Sequence, residues 1–257
     1  MNGIMATINY GDRAGGRMAY RANDSSRDTV CLAPEIMPIT DMRGVETHLD
    51  SEGFQMIFCD PAGLEDEAGA IGALLRAQCG ADLVVPTGQP VRRFAERSDL
   101  SGRLDNSRPA RFAHVDISDG TARTFSARSL PPGSPAPVRS AHYNLWRVTS
   151  PAPQDVPLAL CDARTVAAAS LLPADAIFDR DGVDIWSFEG LVCAHDPGHR
   201  WCWFSDMGPG EAILFKTWDS DPARAHCVPH VAFDNPLAPA DTPPRASVEM
   251  RAIAYWF

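Results

Sequence analysis

The stretch Phe112-Ala113-His114-Val115-Asp116 decides the fold that the sequence predicts. Apolar residues lead into it and Gly120 follows it, which is typical of a β-strand that enters a turn. Alternate residues of a strand point to the same side, so His114 and Asp116 present an imidazole and a carboxylate together. A later strand that carries His230 would complete a set of two histidines and one carboxylate. Such a set covers one face of a ferrous ion and leaves its other positions open. The alternative is a surface pair at the end of a strand.

The choice of His230 as the second imidazole depends on its surroundings. His230 precedes an apolar, β-like run, and Pro229 separates it from His226, which favours a strand in which the two side chains diverge. His199 follows a Pro-Gly turn and is predicted to be solvated, while His142 precedes a strand and is the second choice for a site role. Spacing alone leaves this choice open.

The C-terminal stretch carries polar side chains at alternating positions. Arg245, Ser247, Glu249 and Arg251 share one face of a predicted strand. A guanidinium beside a hydroxyl suits a carboxylate, so Arg245 and Ser247 are predicted to bind 2-oxoglutarate. The alternative is an ordinary solvent face, although residues 252–257 are too apolar for a strand that lies fully in water.

The distribution of short apolar runs predicts a mainly β fold. One helix is predicted to begin at a cap formed by Asp60 and Pro61 and to end at Gly80. A second, short helix is predicted over residues 164–171. The turn at residues 207–210 predicts a hairpin. The strongest strand patterns lie at residues 6–10, 18–20, 53–58, 143–148, 156–160, 201–204, 212–218 and 246–257. Strands gathered in the second half, with flanking helices, favour a double-stranded β-helix, which is a jelly-roll, cupin-like barrel.

Two polar stretches are predicted to be loops. Residues 89–108 form an Arg-rich connection before the proposed metal strand, which suits a lid or a disordered loop. Residues 129–140 are rich in proline and serine and are predicted to be irregular and exposed. Neither separates two self-sufficient hydrophobic halves, so residues 1–257 are predicted to form a single domain.

Composition excludes some classes of partner. The formal net charge of −10 opposes binding to a nucleic-acid backbone. The chain shows no signal peptide and no run of about 20 apolar residues, which predicts no membrane partner. Seven cysteines, without a CxxC pair, indicate reduced thiols in the cytoplasm. We expect a monomer or homodimer that acts on a small molecule.

Several ordered blocks resemble the AsaB/CmcJ-like hydroxylase/desaturase family of fungal and bacterial secondary metabolism, which includes the gibberellin desaturase. The resemblance covers nearly the whole chain. It is densest at residues 144–147, 157–164 and 211–220, and it closes on residues 230–233 and 245–251.

The resemblance implies a double-stranded β-helix that binds iron(II) and 2-oxoglutarate and uses dioxygen to hydroxylate or desaturate a small metabolite in natural-product biosynthesis. His114, Asp116 and His230 match the metal ligands, and Arg245 and Ser247 match the co-substrate clamp. The chain also departs from the family pattern. Ile117, Val231 and Ala246 stand where the family tends to have an aromatic residue, threonine and glutamate.

Five further residues are candidate substrate contacts. Asn144 and Arg147 are candidates on the resemblance alone. Lys216 would neutralise a substrate carboxylate; its alternatives are a solvated strand residue and a pair with Asp219. The tryptophans of this part of the chain also suit core packing. The complete set is Asn144, Arg147, Trp203, Lys216 and Arg251.

Two other functions compete with an oxygenase that consumes 2-oxoglutarate. One is a metal-dependent, cupin-like dioxygenase or isomerase in which Arg245 binds an anionic substrate. The other is a non-catalytic accessory subunit of a biosynthetic enzyme. A serine hydrolase is disfavoured because the sequence has no Gly-x-Ser-x-Gly elbow.

Overall fold

A computed structural model describes residues 3–59 and 68–257, with the side chains of residues 68–71 excepted. Within these residues the chain forms fourteen strands and two α-helices. In chain order they are β1 Gly3–Gly11, β2 Met18–Arg21, β3 Leu32–Asp41, β4 Phe54–Phe58, α1 Ala68–Cys79, β5 Leu83–Phe94, β6 His114–Val115, α2 Asp119–Ser129, β7 Arg139–Val148, β8 Leu158–Cys161, β9 Leu171–Arg180, β10 Val183–Cys193, β11 Trp201–Trp203, β12 Glu211–Asp219, β13 His230–Ala232 and β14 Ala246–Trp256.

The strands form a large and a small sheet that pack against each other. The large sheet has nine strands in the order β1-β3-β11-β8-β13-β6-β10-β9-β2, and the small sheet has five in the order β4-β12-β7-β14-β5. One apolar cluster contains Leu160 of the large sheet together with Trp146 and Phe215 of the small sheet. Because side chains from both sheets meet there, this cluster is the core between the two sheets.

A second apolar core covers the other face of the large sheet. The antiparallel pair of β1 and β3 contributes to it, and the amide of Ala113 donates to the carbonyl of Asn9 in β1 over 2.8 Å. Trp201 packs in this core and donates its indole N–H to the hydroxyl of Tyr10 over 2.6 Å. His199 stacks on Tyr10 and is buried, so its predicted exposure is wrong. The large sheet is therefore covered on both faces.

The turn at residues 207–210 does not form the predicted hairpin. The strand before it, β11, belongs to the large sheet, whereas β12 after it belongs to the small sheet. The turn therefore carries the chain between the two layers of the sandwich.

The predicted helices are confirmed only in part. Helix α1 ends at Cys79, and Gly80 follows with a φ of +65°, which suits a glycine at a helix end. The predicted cap at Asp60 and Pro61 lies outside the described residues. The predicted short helix over residues 164–171 consists of two single 3₁₀ turns, at Ala163–Thr165 and Ala168–Ser170. Among the described residues, no helix combines the length and apolarity needed to cross a membrane.

Candidate metal centre

The three predicted metal ligands meet at one point between the sheets. His114 lies on β6 and is paired directly with His230 on the antiparallel neighbour β13. Asp116 follows β6 immediately. Its Oδ1 lies 3.5 Å from the Nε2 atom of each histidine, and one ligand atom from each residue falls within 4.8 Å of the others. The alternative of a surface pair is wrong for His114, which is buried.

The three side chains fit a first-row metal ion in distance and in donor type. Two ligand atoms about 2.1 Å from one ion lie roughly 3 to 3.5 Å apart when they occupy neighbouring positions. The Nδ1 of His114 contacts the carbonyl of Phe112 at 2.9 Å, and that of His230 contacts the carbonyl of Val228 at 3.1 Å. An Nδ1–H that donates to a carbonyl leaves the Nε2 lone pair free for a metal. Burial, together with His230, lowers the pKa of His114, which favours this neutral form.

Asp116 is held by two donors on its outer oxygen. Its Oδ2 accepts hydrogen bonds from Nδ2 of Asn144 at 2.9 Å and from Nε of Arg251 at 3.2 Å. Burial alone would raise the pKa of Asp116, but Arg251 and the two histidines outweigh it and hold the pKa well below its ordinary value. The carboxylate is therefore ionised, and its Oδ1 faces the histidines.

Asn144 and Arg251 are placed together by the small sheet. They are direct partners in the antiparallel pair of β7 and β14. Arg251 also forms an ion pair with Glu249, with 2.5 Å between Nη2 and Oε1. Both residues were predicted to contact substrate, whereas the structure places them on the carboxylate of Asp116.

Arg245 lines the same cleft as the metal ligands, and Ser247 contacts its guanidinium. Both side chains are buried, so the alternative of a solvent face is wrong. The guanidinium of Arg245 donates to the Ser247 hydroxyl through Nη1 and to the carbonyl of Val156 through Nε at 2.7 Å. Burial, followed by the neighbouring Arg93, lowers the pKa of Arg245 to about 10. It remains a cation at neutral pH.

Arg93 is a cleft residue that was not among the predicted site residues. It lies on β5 directly opposite Ser247, and it lines the cleft that contains the metal ligands. The sequence places it in a polar connection that was predicted to be a loop, but β5 continues to Phe94. The available signal was the Val-Arg-Arg run at residues 91–93, since the resemblance covers nearly the whole chain and includes this part of it.

Tyr20 and Gly190 also border the metal ligands. The ring of Tyr20 lies 6.5 Å from that of His114. A Cβ on Gly190 would meet the Tyr20 hydroxyl at 2.5 Å and the Asp116 carbonyl oxygen at 2.9 Å. Gly190 therefore gives room for both groups to approach β10 closely.

Lys216 is not placed in the cleft. Its side chain has no exposed surface, and its Nζ lies 2.6 Å from Oδ2 of Asp219 and 2.6 Å from Oδ1 of Asp50. The predicted pair with Asp219 is confirmed, and the alternative of a solvated lysine is wrong. The lysine is surrounded by its own counter-ions.

Trp203 and Arg147 also point away from the metal ligands. Trp203 packs with Val231 and Phe233 in the core on the far side of the large sheet. Arg147 follows Trp146, which lines the cleft, so the alternation of β7 places Arg147 on the opposite face.

His142, the second choice among the histidines, is buried beside the Ser126 hydroxyl. That oxygen lies 2.9 Å from Nε2 of His142. Burial lowers the pKa of His142 to about 4. The metal cluster found within the described residues does not include it.

Comparison with known proteins begins with a family model. The model described as "Oxidoreductase/YMDC permease-like domain" matches residues 8–255. The fold is similar to that of the solved iron and alpha-ketoglutarate-dependent endoperoxidase NvfI, with a TM-score of 0.81, 20% identity and coverage of 99% of this chain and 98% of that one. This likeness confirms the predicted jelly-roll fold.

Similar curated proteins include fungal hydroxylase/desaturases. Aspirochlorine biosynthesis protein N of Aspergillus oryzae is 33% identical over 46% of this chain and 49% of its own length. Hydroxylase/desaturase asaB of Aspergillus flavus is 35% identical over 46% of this chain and 56% of its own length. These two alignments thus span about half of each relative. Hydroxylase/desaturase efuI of Hormonema carpetanum is 25% identical over 99% of this chain and 91% of its own length. The predicted resemblance to this group is confirmed.

Proposed function

Because the chain belongs to the Oxidoreductase/YMDC permease-like domain family, we propose that it is an iron(II)/2-oxoglutarate-dependent oxygenase that hydroxylates or desaturates a small metabolite in natural-product biosynthesis. The observation that carries the proposal is the convergence of two Nε2 atoms and one carboxylate oxygen within 4.8 Å. The buried guanidinium of Arg245 in the same cleft, with the Ser247 hydroxyl beside it, supports the choice of a dicarboxylate co-substrate. The names of the relatives support the reaction class.

The donor atoms assign a role to each side chain. His114, Asp116 and His230 would hold the iron, and Arg245 with Ser247 would bind the distal carboxylate of 2-oxoglutarate. When bound, iron and 2-oxoglutarate supply the activation of dioxygen that oxidises a C–H bond, while the protein supplies position and orientation.

Three features of the chain prepare this site. The carbonyl contacts at Nδ1 fix the rotation of both imidazole rings. The two donors on Asp116 keep its inner oxygen directed at the histidines. Burial strengthens the attraction between Arg245 and a carboxylate, because little water competes for the guanidinium.

An anaerobic titration tests the proposal directly. Iron(II) and 2-oxoglutarate together are expected to give a visible metal-to-ligand charge-transfer band that neither gives alone. Arg245→Gln should weaken 2-oxoglutarate binding by about tenfold or more, because it removes a buried charge-assisted contact. Arg103→Gln, which changes an exposed arginine of the loop that follows β5, should leave the affinity for 2-oxoglutarate unchanged. Failure of the band to form in the wild-type protein would contradict the proposal.

Two further readouts separate the competing functions. Succinate that forms only with added 2-oxoglutarate supports the oxygenase over a cupin-like enzyme that does not use it. Loss of pathway function in His114→Ala supports catalysis over an accessory role, because this variant lacks one of the three proposed ligands.

The proposal also covers the domain organisation, the class of substrate and the location of the protein. We propose that residues 1–257 act as one oxygenase domain and that the substrate is a small molecule. Within the described residues the cysteines form no disulfide, which suits a reducing cytoplasm. The choice between monomer and homodimer stays a prediction.

A further inference from the structure

The cleft contains more positive than negative side chains. Arg93, Arg245, Asp116 and Glu249 line it, and Arg251 forms ion pairs with both of the carboxylates. Within the described part of the chain, neither Arg93 nor Arg245 forms an ion pair with an acidic side chain. Three guanidiniums therefore face two carboxylates.

Binding of the proposed cofactors would not remove this excess of positive charge. Iron(II) and the 2-oxoglutarate dianion carry opposite charges of equal size, so their joint binding does not change the balance. The distal carboxylate of 2-oxoglutarate accounts for Arg245. Within the described residues Arg93 then has no ion-pair contact of its own, although the charges of Glu249 and Asp116 act on it. A desolvated charge is costly unless it is paired.

The geometry of Arg93 suits a second anion. Its Nη1 donates to the carbonyl of Arg108 at 2.8 Å and to the main-chain and side-chain oxygens of Asn106 at 3.2 and 3.1 Å. Among the described residues, all hydrogen bonds of the guanidinium use this one nitrogen. The neutral carbonyls thus hold the guanidinium in place and leave Nε and Nη2 free to donate.

The position of Arg93 is also set by its strand. Direct partners on neighbouring strands share a face, so Arg93 points to the same side of the small sheet as Ser247. Burial lowers the pKa of Arg93, but a guanidinium stays charged in proteins. It is half-buried, so that a ligand in the cleft can reach it.

We infer that Arg93 binds a carboxylate group of the substrate. The inference rests on the proposed function, which assigns the other free guanidinium to 2-oxoglutarate. Two donors of one guanidinium match the two oxygens of a carboxylate. The substrate class is therefore a metabolite that carries a carboxylate, anchored at Arg93 while another part of the molecule lies at the metal.

The experiment uses acetate as the probe. Protein loaded with manganese(II), which replaces iron as a paramagnetic ion, and with 2-oxoglutarate is titrated with acetate labelled at the carboxyl carbon, and the relaxation of that carbon is measured. We expect saturable binding that Arg93→Gln weakens by about tenfold and that Arg93→Lys weakens less. Arg103→Gln, with the same loss of charge at an exposed site, should bind acetate like the wild type, and neutral acetamide should not bind.

Three results would overturn the inference. The first is the absence of saturable acetate binding, and the second is equal binding by wild type and Arg93→Gln. The third is a tenfold loss of 2-oxoglutarate affinity in Arg93→Gln, measured by calorimetry, which would assign Arg93 to the co-substrate. Thermal melts confirm that each variant is folded.

Failure of the proposed function is recognised separately. If wild-type protein does not bind 2-oxoglutarate in the calorimeter, the proposed function fails. The acetate titration is then repeated with manganese(II) alone, where the difference between Arg93→Gln and Arg103→Gln still tests whether Arg93 binds a carboxylate.

Discussion

The contact between Asn144 and Asp116 is the most direct test of how the metal site is held. Asn144→Ala removes the hydrogen bond of 2.9 Å from Nδ2 to the outer carboxylate oxygen. The bond of 3.2 Å from Arg251 to the same oxygen remains. Asn144 is only 1% exposed, so bulk water does not replace the lost donor readily. The Asp116 carboxylate then has only one hydrogen-bond donor on its outer oxygen, so it can rotate more freely.

The expected loss of metal affinity follows from this count of donors. Removal of an outer partner of a metal ligand costs about 10- to 100-fold in affinity, which corresponds to about 1.4 to 2.7 kcal/mol. Because Arg251 keeps one of the two bonds, we expect the lower end, about tenfold. The loss of the buried hydrogen bond should also lower the free energy of unfolding by about 1 kcal/mol.

The assay is an anaerobic competition between the protein and a chelating dye for iron(II), with cobalt(II) as an oxygen-stable alternative. Asn235→Ala is the control, because it removes a buried hydrogen bond from Nδ2, to the carbonyl of Gln154 at 3.0 Å, together with the bond that the Leu237 amide donates to Oδ1. The control should lose stability but retain metal affinity. An Asn144→Ala variant that binds metal as tightly as Asn235→Ala would refute this account of the site.

Three other perturbations test the surroundings of the site. The pKa of His142 is about 4 in the folded protein and near 6.5 in the unfolded chain. Stability therefore falls as the pH drops from 6.5 to 4, because only the unfolded chain takes up the proton in this range. Denaturant melts measure how much free energy of unfolding is lost between pH 6.5 and pH 4, and this loss should be about 3 kcal/mol smaller in His142→Gln than in the wild type. An equal loss in the two proteins would contradict this. Lys216→Met removes one of the cations that pair with Asp219, and we expect the free energy of unfolding to fall by about 3 kcal/mol. Metal affinity should not change, and weaker metal binding by the folded variant would contradict the placement of Lys216 outside the cleft. Gly190→Ala would force its new Cβ against Tyr20, so calorimetry should show a loss of about 1 to 3 kcal/mol, and wild-type stability would argue that the two groups are not so close.

The proposed metal ligands could be predicted in part because strand alternation is a local property. His114 and Asp116 are two positions apart, so any extended backbone directs both side chains to one side. The same reasoning placed Arg245 with Ser247, and the buried hydrogen bond between them agrees with it. His230 required more, because its pairing with β6 depends on contacts across more than a hundred residues. Here the ordered blocks of the resemblance supplied what spacing did not.

The sheet assignment of each strand could not be predicted from local pattern. The turn after Phe204 has the composition of a hairpin, but hairpin formation also requires both strands to belong to one layer. Here β11 and β12 pair with different partners. Arg93 was missed for a related reason, since a polar run reads as a loop unless one knows that its strand borders a charged cleft.

Trp203 shows what alternation leaves undetermined. Alternation tells which residues of one strand share a side, but it does not tell which side faces the site. That information comes from the neighbouring strands: once His230 is directed at the metal, Val231 must face the opposite core. Trp203 packs in that same core with Val231, so its absence from the cleft follows from the metal ligand itself. Had the strand partners been known, the assignment of His230 would have removed Trp203 from the candidate substrate contacts and left the charged residues of β5 and β14 that line the cleft.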